Sequence, residues 1–287
     1  MHIDEFLGIQ STHNPHRWVL PITPEISTLG NFLFGGCGLA TAVTALEQTC
    51  DRPLIWATAQ YLSYGQTGSI LDLDVRAPVV GKNVTQARAV GHVGDKEILT
   101  VNAALGQRNI GVSDEWASMP DVPKPEDCDA DEWRSRLPDL MSIEKRADIR
   151  LAMGRIKGGW VGDKQPEPGR SALWVHMNEG LELSSATLAI IADWVPSGLS
   201  QAVVGGRVGG NSLDNTIRIY DLHPTEWVLC DIRIHGVQNG FGHGTAHLWS
   251  EDGRLLATAS QSLIVREWTQ EQIDRIEKTM KPREDSE

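Results

Sequence analysis

Phe32-Leu-Phe-Gly-Gly-Cys-Gly-Leu-Ala-Thr-Ala-Val-Thr-Ala-Leu46 and Ile190-Ile-Ala-Asp-Trp-Val-Pro-Ser-Gly-Leu-Ser-Gln-Ala202 are two runs of apolar and small residues about 156 positions apart. In the first, Phe34, Leu39, Val43 and Leu46 recur at spacings that fit one buried helical face. Gly35, Gly36, Gly38, Ala40 and Ala42 let a neighbouring backbone come close. A helix is therefore expected from Asn31, and a second over Leu188 to Val203.

The segments C-terminal to the two runs are also alike. After Asp51-Arg52-Pro53 come strand-like stretches at Ile55–Tyr64, Ser69–Arg76, Thr85–His92 and Ile98–Leu105, with glycine-bearing turns between them. After the second run come Thr216–Tyr220, Trp227–Ile234, Thr245–Ser250 and Leu255–Arg266. Each helix is preceded by strand-like sequence, Arg17–Ile22 in one half, Ala147–Met153 and Ala172–Met177 in the other. Four strands with hairpin-length links after one central helix describe an antiparallel sheet curled around that helix rather than parallel βαβ units. The expected fold is α+β in two similar parts, residues 1–112 and 140–287. Residues 113–139, with Pro120, Pro123, Pro125 and many acids, read as a surface linker too polar to form a core.

The two copies differ where chemistry needs polar groups. At the repeat offset Cys37 stands opposite Asp193 and Trp56 opposite Ser212; one residue more sets Ala104 opposite Gln261. One copy reads as scaffold, the other as a reaction site.

Composition narrows the partners. The chain has 287 residues and a formal charge of −12, with no block of Lys or Arg, so it lacks the basic footprint of a nucleic-acid binder. No apolar leader and no stretch of 18 apolar residues is present, which points to a cytoplasmic protein without membrane insertion. Cys37, Cys50, Cys128 and Cys230 are scattered, as free thiols in a reducing compartment would be. His223, His235, His243 and His247 lack accompanying carboxylates or thiolates at metal-ligand spacing, so no metal is expected. Gly205 to Gly210 reads as a flexible loop, because it precedes a strand instead of opening a helix. No G-x-S-x-G elbow provides a serine nucleophile.

Phe34-Gly35-Gly36 opening the central helix, Gly81 and Arg88 in the hairpin after it, Ser212-Leu213-Asp214, and Asp252-Gly253-Arg254-Leu255-Leu256-Ala257 leading to Gln261 and Arg266 together resemble the acyl-CoA thioesterase II family. The resemblance spans most of the chain outside 113–139. It implies two fused hotdog domains, each a central helix wrapped by an antiparallel β-sheet, and it carries the family's catalytic trio onto Asp193, Ser212 and Gln261. Departures are Gln261-Ser262-Leu263-Ile264-Val265-Arg266 for the usual Gln-Glu-Gly-Leu-Ile-Arg, Asp214-Asn215-Thr216 for Asp-His-Ser, and His243-Gly244 for Arg-Gly.

These residue types suit thioester hydrolysis on their own terms. A desolvated carboxylate such as Asp193 can take a proton from water, while Ser212 and Gln261 hold that water without ionising. The amides of Gly35 and Gly36 at a helix start could polarise the carbonyl, and Lys82, Arg88 and Asp214 are further substrate-binding candidates. Each also has a structural reading: Asp193 as a favourable charge in the first turns of a helix, Ser212 as a turn residue, Gln261 as a satisfier of backbone groups, Asp214 as a local cap. The function expected is hydrolysis of acyl-CoA to free acid and CoA, without a cofactor beyond the CoA of the substrate. A hotdog hydratase or dehydratase and a non-catalytic acyl-CoA-binding protein are the alternatives. Two fused copies already make the pairing that separate chains achieve by dimerising, yet exposed sheet edges would favour a homo-oligomer.

Overall fold

Inward and outward residues alternate along almost every strand, and the inward ones are small or aliphatic. Ala57 and Ala59, Leu71, Leu73 and Val75, Ala87 and Ala89, and Ala257 and Ala259 are all buried on the face that meets the helices. The computed structural model describes residues 1–129, 141–156, 159–203 and 208–269.

The first half runs α1 (Ile3–Leu7), β1 (Gln10–Ser11), β2 (Arg17–Pro21), α2 (Gly35–Cys50), β3 (Leu54–Tyr61), β4 (Ile70–Val80), β5 (Val84–Val93) and β6 (Lys96–Gly106). The second runs β7 (Ala147–Met153), a small hairpin of β8 (Arg155–Ile156) and β9 (Gly159–Trp160), β10 (Arg170–Met177), α3 (Ser185–Ala192), α4 (Ser197–Ala202), β11 (Val208–Ser212), β12 (Asp214–Ile219), β13 (Val228–Gln238), β14 (Phe241–Ser250) and β15 (Leu255–Glu267). One antiparallel sheet holds both, in the order β1-β2-β4-β5-β6-β3-β12-β15-β14-β13-β10-β7, with β11 beside β15. From the middle outward, β3-β6-β5-β4-β2 is matched by β12-β15-β14-β13-β10. The repeat is thus a structural one, with Ile70 and Val228, or Val84 and Phe241, opening counterpart strands.

The halves meet where β3 pairs with β12, Thr58 opposite Thr216 with their hydroxyls 2.9 Å apart. Helix α2 lies inside the curl and is buried on every side from Gly36 to Leu46, which is why it is built of glycine, alanine and threonine. Thr41 and Thr44 return their hydroxyls to carbonyls four residues back, at 2.7 and 2.9 Å, so neither hydroxyl is stranded there. A single hydrophobic core joins α2 to α3 and to strands of both halves.

Three expectations need correction. The second helix is not continuous over 188–203: α3, capped by the Ser184 hydroxyl on the Thr187 N–H at 3.1 Å, ends at Ala192 and α4 begins at Ser197. Pro196 is the cause, since it has no N–H to give and crowds the carbonyl four residues earlier. The Pro-rich stretch after β6 is also no free linker. Pro120, Pro125 and Cys128 are buried. Met119 and Val122 pack on a second apolar cluster with Trp174, Leu229 and Trp249. Trp174 Nε1 donates to the Pro123 carbonyl at 2.8 Å, and Arg150 to that of Pro125 at 2.9 Å. The acids face water while the few apolar side chains cover the outer face of the sheet. Residues 130–139 of that stretch, and Gly205 to Arg207, lie outside the described residues; Gly209 and Gly210 are part of strand β11 instead of a loop.

Candidate active site

Asp193 occupies the break between α3 and α4, as the C-cap of α3, and not the first turn of a helix as its sequence context implies. It is 5% exposed. One carboxylate oxygen, Oδ2, accepts the Gly36 N–H at 2.6 Å, so the amino end of α2 from the first half points at a charge on the second. The other, Oδ1, accepts from the Ser212 hydroxyl at 3.2 Å and from Gln261 Nε2 at 2.5 Å.

Each partner is delivered by a different element. Gln261 takes an inward position on β15, between Ala259 and Leu263, in a row whose other buried members are apolar. Its cross-strand neighbour is Gly244. Ser212 closes β11, and the chain then steps sideways into β12. Gly35 and Gly36 are required by contact: a Cβ on Gly36 would lie 2.8 Å from the Ile190 carbonyl and 2.9 Å from Asp193 Cβ, and one on Gly35 2.7 Å from Asp193 Oδ2. Burial raises the Asp193 pKa to about 6, outweighing the three donors that pull it down.

The trio named from the sequence is therefore assembled around one carboxylate. Gly35 and Gly36 join them, but Asp214, Lys82 and Arg88 do not. Asp214 accepts the Ser262 N–H at 2.7 Å and ties β12 to β15. Lys82 sits in the β4–β5 turn, its carbonyl taking a 3.3 Å bond from Arg52. Arg88 faces outward, lining a cavity of about 830 Å³ with Arg17, Trp56, Arg76 and Asn102 on the side of the sheet away from α2. The Gly36 N–H is already engaged by Asp193, which leaves the Gly35 N–H, the first of the helix, as the open amide.

Sequence reasoning missed two residues here. Tyr61 ends β3 with its ring against Gly35, 3.1 Å from hydroxyl to the position of a Cβ there. Asn215, fully buried, faces the same side from β12, where it pairs with Ala59. A polar residue between the apolar Ile217 and the seam was the available signal for Asn215; Tyr61 offered none, since a strand aromatic reads as packing.

Two helix-and-strand repeats in one chain, their strands continuous in one sheet curled around the helices, with one buried carboxylate where the helices meet, define a double-hotdog protein. Residues 125–265 match the acyl-CoA thioesterase C-terminal domain. A crystal structure from Novosphingobium aromaticivorans, provisionally described as a thioesterase, is 32% identical, covers 88% of this chain and 96% of its own, and superposes with a TM-score of 0.78. The acyl-CoA thioesterase II TesB2 of Mycobacterium marinum is 17% identical, with 92% and 98% covered and a TM-score of 0.73. A hotdog-fold protein from Alicyclobacillus acidocaldarius gives 18%, 93%, 98% and 0.78. No curated protein matches the chain in sequence. The chain belongs to the acyl-CoA thioesterase II family. Among the described residues no helix is long and apolar enough to cross a membrane.

Proposed function

We propose that this protein hydrolyses acyl-CoA to free acid and CoA, with Asp193 as general base. The observation that carries the reading is a buried carboxylate, its pKa raised to about 6, with Ser212 and Gln261 on one oxygen. Such a group is basic enough to take a proton from water near neutrality and is ionised when it does so. Gln261 Oε1 is buried and unbonded, which leaves it free to accept from a water that Asp193 also holds. The Gly35 N–H at the start of α2 would face the carbonyl oxygen. Side chains and water supply every group this reaction needs, so we assign it no metal or organic cofactor, and the cytoplasm as its setting. Among the described residues no histidine is bonded to the carboxylate, and hydration of an enoyl thioester through an Asp–His pair is correspondingly disfavoured.

The test is release of CoA, followed with a thiol reagent, from acyl-CoAs of graded chain length. Wild type is expected to turn over at least one of them and Asp193→Asn to lose at least about 100-fold. Retained turnover in the folded variant would remove Asp193 from the mechanism, and no release by wild type would refute hydrolysis.

A further inference from the structure

Four buried polar atoms on the helix side of the seam lack a well-formed hydrogen bond: the Tyr61 hydroxyl, both ends of the Asn215 amide, and Gln261 Oε1. Tyr61 and Asn215 lie on adjacent strands of the seam and point to the helix side, and Gln261 is bonded to Asp193, whose charge acts on Tyr61. Buried donors and acceptors are rarely left unpaired in a fold, because each forfeits its bonds to water. Their concentration beside the carboxylate points to a polar ligand that completes them.

We propose that the Tyr61 hydroxyl donates to the carbonyl oxygen of the bound thioester, making it a catalytic residue supplied by the half that lacks the carboxylate. This rests on the hydrolase reading above. The need for such a donor is local: the Gly36 N–H is taken by Asp193 Oδ2, so the Gly35 N–H alone is a weak cradle for a developing negative charge. Asp193 Oδ2 and the Tyr61 hydroxyl both lie within 3.1 Å of the point where a Cβ on Gly35 would sit, so base and donor flank the same helix start. Burial, then the charge of Asp193, raises the Tyr61 pKa well above its ordinary value, so the group stays an O–H donor. Asn215 works against that rise from close by, without reaching the geometry of a formed hydrogen bond.

In the step itself, water oxygen bonds the carbonyl carbon, its proton passes to Asp193, and the C=O electron pair moves to the oxygen held by Tyr61 and Gly35. Collapse re-forms C=O and breaks C–S, and the leaving sulfur takes the proton back from Asp193. The products are acid and thiol, with Asp193 ionised again.

Tyr61→Phe removes only the hydroxyl. The hydroxyl's near neighbour in the fold is Asn215, short of a well-formed hydrogen bond, so the variant is expected to keep its melting temperature within a few degrees while kcat falls about 100-fold at nearly constant KM. A kcat within threefold of wild type, with Asp193→Asn inactive, would overturn the role of Tyr61 and leave the hydrolase intact. Wild type without any thiol release would overturn both. A readout independent of turnover is the carbonyl stretch of an acyl-CoA bound to Asp193→Asn. It should sit at lower wavenumber than in the Asp193→Asn, Tyr61→Phe double variant, and an identical band in the two would also refute the contact.

Discussion

The carboxyl of Asp193 is expensive for the fold in the form that is useful for chemistry. Its pKa rises from 3.8 to about 6, so between those values the folded chain binds a proton that the unfolded chain has lost. Stability contributed by the neutral form is therefore lost as pH climbs through that window, to the order of 3 kcal/mol once it is fully ionised. Both kinetics and stability should register this. The value of kcat/KM should rise tenfold per pH unit below about 6 and level off above it. Asp193→Asn, whose oxygen can still meet the Gly36 N–H while Gln261 turns its amide, should melt higher than wild type at pH 8, with the gap closing near pH 4. Thermal melts at the two pH values decide it, and a variant less stable than wild type at pH 8 contradicts this ionisation cost. Asp193 and Gln261 stood out as polar residues in buried apolar rows, Gln261 between Ala259 and Leu263, whereas Ser212 stood out only through the repeat and the family resemblance. Tyr61 was not legible, because its meaning lies in what its hydroxyl fails to bond, and that exists only in three dimensions.

Among the elements, α2 shows why two glycines in one helix are not interchangeable. At Gly38 an added Cβ would meet only the ends of Leu99 and Leu33, at 3.3 and 3.4 Å, whereas at Gly36 it would strike the Ile190 backbone carbonyl at 2.8 Å. Gly38→Ala is expected to be neutral or to gain up to about 1 kcal/mol from helix propensity. Gly36→Ala should cost about 1–3 kcal/mol by overpacking and abolish thiol release, since α2 must back away from Asp193. Urea titration and the CoA assay on both variants test the pair, and equal behaviour would refute the close approach. Alternating burial made the strands readable to within a few residues. The break at Pro196 is a local effect that the proline itself announces, whereas the docking of the Pro-rich stretch was misread because it depends on what the segment packs against. Met119 and Val122 look like stray apolar residues in an acidic run until Trp174 and Trp249 are found beneath them.

Across the whole molecule, the sheet does not stop at the boundary between the copies. The β3–β12 pairing continues it, and one core includes side chains from both halves, with α1 tied to the second by the Arg146 bond to the Phe6 carbonyl at 2.8 Å. The chain should accordingly unfold in one cooperative step, with tryptophan fluorescence and far-UV circular dichroism tracing the same urea curve. Two separated transitions would mean the halves are independent. The symmetry of the strand order could be foreseen from the repeat, and so could a part for the α2 amides of Gly35 and Gly36, but that the Gly36 amide would meet the carboxylate itself, with Tyr61 beside it, could not.

Joining the copies through the β3–β12 seam into one polypeptide also changes what heredity can do with them. In a dimer of identical chains any codon change appears twice, so an ionised buried acid would have to be endured on both sides of the axis. Here a single gene carries two separately editable versions, and only one of them bears Asp193. Only one copy then has to tolerate the buried acid, while the other supplies the amide that meets it.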